Sequence, residues 1–124
     1  MLGAFIQGAE HIYIACGPTD FRKQINGLAA LVQMKYRLDP YSESCVFIFC
    51  NRKHNAIKVL RFDENGFVLA TKKLINKMKF QWPGKTDEIK DITFQQVRWL
   101  LEGLEIEQKR ALKSIKRTEN NSCF

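Results

Sequence analysis

No stretch of this chain stays apolar long enough to cross a bilayer. The longest fully apolar run, Cys45–Cys50, is six residues, against the ~20 that a spanning helix needs. The opening MLGAFIQGAEHIYIACG has no cation ahead of its apolar residues, so it lacks the charged leader of a secretory signal. A soluble, cytoplasmic protein is expected. Cysteine is sparse, at four in 124 residues (Cys16, Cys45, Cys50, Cys123), and no CxxC occurs. Cys45 and Cys50 lie five apart on an expected strand and should point to opposite faces. The two histidines, His11 and His54, sit in different segments. Buried free thiols are therefore expected, with no metal site and no cofactor. The sequence also lacks a glycine-rich phosphate loop, a Ser/His/Asp or Cys/His grouping, an internal repeat and a low-complexity tract. Its acids fall where turns and helix starts want them: Asp20, Asp39, Asp63 with Glu64, and Asp87 with Glu88. A metal-dependent nuclease needs clustered carboxylates, so the expected protein is not an enzyme, and no catalytic residue is assigned.

What the chain does have is one domain's worth of apolar residues, at 45%, enough for a single core. His11–Cys16 reads as a first strand, ended by Gly17-Pro18. Thr19 is placed to cap a helix running from about Asp20 to Tyr36. Phe21, Ile25, Leu28, Val32 and Tyr36 make its apolar stripe, widened by Leu31, and Arg22, Lys23 and Lys35 lie off it. Asp39-Pro40 forms the exit turn. Cys45–Cys50 is apolar on both faces, which suits a central strand.

The strongest local signal is a hairpin. Ala56–Asp63 and Phe67–Leu74 are β-rich runs joined at Glu64-Asn65-Gly66, where Asn-Gly tolerates the positive φ of a primed turn. A third short strand is expected at Lys79–Trp82, closed by Pro83. Short connections favour an antiparallel meander. Further on, Thr86 is placed to cap an acidic turn, Asp87–Asp91, and Thr93 with Gln96 makes a capping-box pattern for a helix from Phe94 to about Leu101. Val97, Leu100 and Leu101 share one side of that helix, and Trp99 lies off it. From Glu105 onward the pattern fades, and residues 105–124 read as a frayed or disordered tail.

Charge is concentrated in the hairpin region. Asn51 to Lys85 carries nine cations and two acids, an excess equal to the whole net charge of +7, while the segments on either side are balanced. Cations that neutralise DNA phosphates release counterions, and a two-stranded ribbon fits a major groove. Arg52, Lys53, Lys58, Arg61, Lys72, Lys73 and Lys79 are the candidate phosphate contacts. Strand lysines also solubilise an exposed edge, which is the plainer explanation for some of them. Trp82, beside Lys79 and Phe80, could stack on single-stranded bases, and Trp99 could anchor a partner. Both are also ordinary core residues.

Several separated motifs resemble one known family: ACGPTDFRKQINGLAALV (15–32), LDP (38–40), VFIFCNRKHNAIKVLRFDENGF (46–67) and KFQWP (79–83), continuing through RWLLEGLEIEQ (98–108). The chain is similar to the small second-reading-frame accessory proteins, often called TnpB, of the insertion-sequence-sixty-six type of bacterial mobile elements. Thr19, Asp20, Arg22, Lys23, Asn51, Arg52, Ile57, Lys58, Gly66, Phe67, Lys72, Leu74, Phe80, Trp82 and Pro83 match the recurrent motif. The resemblance implies a transposition accessory protein working beside a separate transposase, and carries no catalytic residue with it.

The fold expected is α+β: residues 1–104 as a single domain, with an antiparallel sheet of four to five strands, one long packed helix and C-terminal helices. The function expected is non-enzymatic DNA binding in transposition, through the basic hairpin. Two alternatives stand beside it, an adaptor that binds the transposase through Trp82, Trp99 and the C-terminal helix, and a metal-dependent nuclease.

Overall fold

The computed structural model describes residues 1–84 and 87–108. In chain order the elements are α1 (Leu2–Ile6), β1 (His11–Ala15), α2 (Ile25–Met34), β2 (Cys45–Cys50), β3 (Ala56–Asp63), β4 (Gly66–Lys73), β5 (Ile89–Ile92) and α3 (Phe94–Leu101). The fold is α+β in one domain, built on a five-stranded sheet of order β4-β3-β2-β1-β5.

The sheet is mixed rather than antiparallel throughout. β2, β3 and β4 form the expected antiparallel meander, and β5 pairs antiparallel with β1, but β1 and β2 run parallel. The cause is α2, which lies between them in the chain. A helix crossover returns the chain to the starting end of the sheet, so the second strand repeats the direction of the first.

Two apolar layers enclose the sheet. On one face Leu28, Ala29 and Val32 of α2 pack over Ala15, Phe47, Phe49 and Leu60. On the other, Ile6, Val97, Leu100 and Ile106 cover Ile12, Ile14, Val46, Ile48, Ile57 and Val59. β2 alternates between the layers and is buried on both, as its unbroken apolar sequence anticipates. Cys50 joins one layer and Cys45 lies against the other, and Cys16, Cys45 and Cys50 are free thiols. No helix among the described residues is long and apolar enough to cross a membrane.

Four local expectations need correction. First, α2 begins at Ile25, five residues late, and Thr19 does not cap it. The Asp20 carboxylate accepts the Arg22 N–H instead, turning the chain, and Lys58 engages the Phe21 and Lys23 carbonyls. Second, Lys79–Trp82 forms no strand and joins no ladder. β4 and β5 lie at opposite edges, so the connection must cross the sheet. Phe80 and Trp82 seat in the layer opposite α2 as it crosses, and the Trp82 indole N–H donates to the Ala15 carbonyl at 2.9 Å. Third, Asp87–Asp91 is not simply a turn: Ile89–Ile92 is an edge strand on β1, with Asp91 2.7 Å from His11 Nδ1. Fourth, the hairpin turn sits one residue early. Asp63 pairs with Gly66, and the positive φ of 53° falls on Glu64.

The capping box on α3 is as expected: Thr93 Oγ1 accepts from Gln96 N–H, and the Gln96 side chain accepts from Thr93 N–H. α1 has no counterpart in the sequence reading. It is held by Arg61, whose guanidinium donates to the Phe5 and Gln7 carbonyls at 3.1 and 3.3 Å, a cation at the negative end of a helix. The expected cap at Thr86 and residues 109–124 of the expected tail lie outside the described residues. Ile106, within that tail, is buried in the core.

Candidate nucleic-acid interface

Two loops leave the sheet at the carboxyl ends of the parallel strands. The first, after β1, is residues 16–24, and the second, after β2, is residues 51–55. Thr19 N–H donates to the Cys50 carbonyl at 2.8 Å and fastens the first loop to the end of β2. Between them lies an open groove of about 660 Å³ whose lining includes Asp20, Arg22, Asn51, Arg52, Lys53 and Lys73. Among the described residues it holds four cations against one acid.

The second loop is rigidly built from its own sequence. Asn51 Oδ1 accepts from the Asn55 and Ala56 N–H groups at 3.0 and 3.1 Å. Its Nδ2 donates to Asn55 Oδ1 at 2.6 Å. His54 takes φ 59°, a left-handed conformation that histidine tolerates better than most residues. The loop's outward carbonyls are used as well, Asn55 by Leu74 N–H and His54 by Phe80 N–H, each at 2.7 Å. Arg52 and Lys53 are left as the exposed pair on a turn pinned by the bonds of Asn51, His54 and Asn55 on either side of them.

In the first loop Asp20 and Arg22 form a fork. The guanidinium Nε and Nη2 reach both carboxylate oxygens at 2.8–3.1 Å, and the Arg22 side chain stays 92% exposed. The guanidinium and the Arg22 N–H together hold the Asp20 carboxyl well below the usual carboxylate range, and Asp20 in turn pushes Arg22 up. The one acid in the groove is thus bound to a neighbour, leaving Arg52, Lys53 and Lys73 uncompensated there.

The predicted basic residues separate into two groups. Arg52, Lys53, Lys72, Lys73 and Lys79 are exposed, and Arg52, Lys53 and Lys73 share the groove. Lys72 points to the other face of β4, beside α1. Lys58 and Arg61 are used internally. Lys58 is buried, with its ammonium 2.9 Å from the Phe21 carbonyl and 3.0 Å from that of Lys23, 4.7 Å above the Phe21 ring. Burial lowers its pKa, against a smaller opposing pull from Asp20. Arg61 clamps α1 and also donates to the Glu43 carbonyl. Trp82 is buried and hydrogen-bonded, so it offers no stacking surface, and Trp99 is half-buried on α3.

Arg22 and Asn51 line the groove as well, although in the sequence they stand out only as positions of the family motif and not as phosphate contacts. Only the parallel pairing of β1 with β2 brings residues 20–22 beside residues 51–53, and no local pattern signals it. Among the described residues, no three of His, Cys, Asp and Glu gather as a metal set.

The IS66 Orf2-like protein family matches residues 10–111 of this chain. Among curated proteins, "Uncharacterized protein y4jC" of Sinorhizobium fredii is 32% identical over 94 residues, covering 76% of this chain and 79% of the relative. "Uncharacterized protein y4hO" of the same organism is 33% identical over 94 residues, covering 76% and 80%. No solved structure matches the chain. With a match of that extent, running from β1 to beyond α3, the chain belongs to the IS66 Orf2-like family.

Proposed function

We propose that this protein is a non-enzymatic accessory factor of IS66-type transposition, and that it works by holding DNA phosphates at the basic groove. Family membership supports the transposition setting. The groove supports the DNA contact: Arg52 and Lys53 stand exposed on a hydrogen-bonded turn, with Lys73 and the Asp20-bound Arg22 in the same lining. Fixed cations lose less conformational entropy on meeting a phosphate than cations on a flexible arm. Phosphate contacts of this kind position a protein on DNA without reading sequence. The separate transposase is the expected partner on that DNA.

The test is a binding titration on duplex from a mobile-element end, with random duplex and single strand alongside. The intact chain is expected to bind duplex at about 50–100 mM salt, and Arg52→Ala/Lys53→Ala is expected to lose most of that affinity. Equal binding by the variant would remove the groove from the interface. Absence of any complex would remove DNA from the function.

A further inference from the structure

We propose that the free edge of β4 docks a second copy of this chain, antiparallel, about a two-fold axis near Leu69.

β4 is one edge of the sheet, and it is eight residues long. Because Asp63–Gly66 closes the hairpin, the N–H and C=O groups of Val68, Ala70 and Lys72 face β3. Those of Phe67, Leu69, Thr71 and Lys73 face outward. The bond from Leu74 N–H to Asn55 O continues the same alternation. Among the described residues nothing bonds to the outward row. A long unpaired row of this kind is a template for another strand.

The charge along the edge selects the occupant and its direction. At the start of β4 stand three exposed acids, Glu43, Asp63 and Glu64, gathered by a bond from Glu64 N–H to Glu43 Oε1 at 3.2 Å. At its end stand Lys72 and Lys73, both exposed. The ion pairs among the described residues are His11–Asp91, Arg22–Asp20 and Lys35–Asp87, none of them at either end of β4. The edge is therefore acidic at one end and basic at the other. An antiparallel copy sets each acidic end against a basic end, twice by symmetry. A parallel copy would set like against like.

A two-fold axis normal to the sheet keeps like faces together, so paired positions must share a face. With Leu69 opposite its own counterpart, Val68 lies across from Ala70, Thr71 from Phe67, and Lys72 from Gly66. No atom lies within 4 Å of where a Gly66 Cβ would be, which leaves the Lys72 side chain room to reach the acids of the other copy. Val68, 42% exposed, lines an apolar groove with Leu2, Phe5 and Ala70. The same pairing brings the two grooves together across the Val68–Ala70 seam. This inference shares Lys73 with the DNA reading but does not rest on it, and it is tested without DNA.

The experiment is sedimentation equilibrium of the full chain over a concentration series, with two charge-reversed variants. Lys72→Glu/Lys73→Glu makes both ends acidic, and Asp63→Lys/Glu64→Lys makes both basic. Each alone is expected to weaken self-association by roughly tenfold or more, and an equimolar mixture is expected to restore it as a heterodimer. Thr71→Pro, which removes one outward donor and no bond to β3, should weaken association with an unchanged circular dichroism spectrum. A monomer at every concentration overturns the proposal, as does a mixture that associates no better than its components. The lysines of β4 would then serve to keep an open edge unpaired.

Discussion

Lys58 and Phe21 meet twice: the ammonium donates to the Phe21 carbonyl at 2.9 Å and lies 4.7 Å from the centre of its ring. One strand residue thereby fixes the loop that carries Asp20 and Arg22. Burial disfavours the charge, but two charge-assisted bonds and the ring face offset it. Lys58→Met should lower stability by about 2 kcal/mol, through two carbonyls that lose their donor. At this chain length that is a fall in Tm of roughly 6–10 °C. Its DNA salt dependence should be unchanged where the variant is folded, because Lys58 reaches no phosphate. A flatter salt dependence would return Lys58 to the interface.

Trp82→Phe separates packing from hydrogen bonding on the segment that crosses the sheet. The ring still fills the layer, while the Ala15 carbonyl loses the indole donor. A loss of about 1–2 kcal/mol is expected in urea unfolding, with DNA affinity unaltered. A fall in affinity without a fall in stability would make Trp82 a contact residue after all.

The α3 cap is a second stability handle. Thr93→Ala removes the oxygen that accepts from Gln96 N–H and should cost about 1 kcal/mol. Denaturant midpoints of the two chains measure it directly, and equal midpoints would mean the helix is held by packing alone.

The sequence alone located the hairpin, the doubly buried β2, and α3 with its cap, since each depends on residues within a few positions of one another. The mixed sheet was not legible, nor was β5, because pairing across distant segments decides both. Lys58 and Arg61 are instructive. Period-2 alternation places Lys58 on the face of Leu60, and Arg61 on that of Ile57 and Val59, all buried. A charge on a face whose neighbours are buried signals an internal partner, though not which carbonyls it will find. Arg52, Lys53 and Lys73 stay exposed, as lysines and arginines in a charge-rich segment ordinarily do, because no hydrogen bond or ion pair among the described residues uses their side chains.

Cys50 gives the fold a predictable alkaline limit. Burial pushes its thiol up to about 12 from an ordinary 9.0, with a smaller lowering from the Asn51 N–H. A group whose pKa is raised by folding contributes its stability in full below the unfolded value. That stability is lost as pH rises toward the folded one. Between pH 9 and 12 the decline should reach up to about 1.4 kcal/mol per pH unit from this group. Thermal unfolding of the intact chain against Cys50→Ala should show the shallower pH slope in the variant. Parallel slopes would mean that the thiol titrates alike in both states.

The salt dependence of duplex binding tests the groove most directly. Three phosphates held by the uncompensated Arg52, Lys53 and Lys73 give a slope of log affinity against log salt of roughly −2.7, and Arg52→Ala/Lys53→Ala should reduce it to roughly −0.9. A slope near zero, or one that the double variant leaves unchanged, would contradict phosphate binding at the carboxyl ends of β1 and β2.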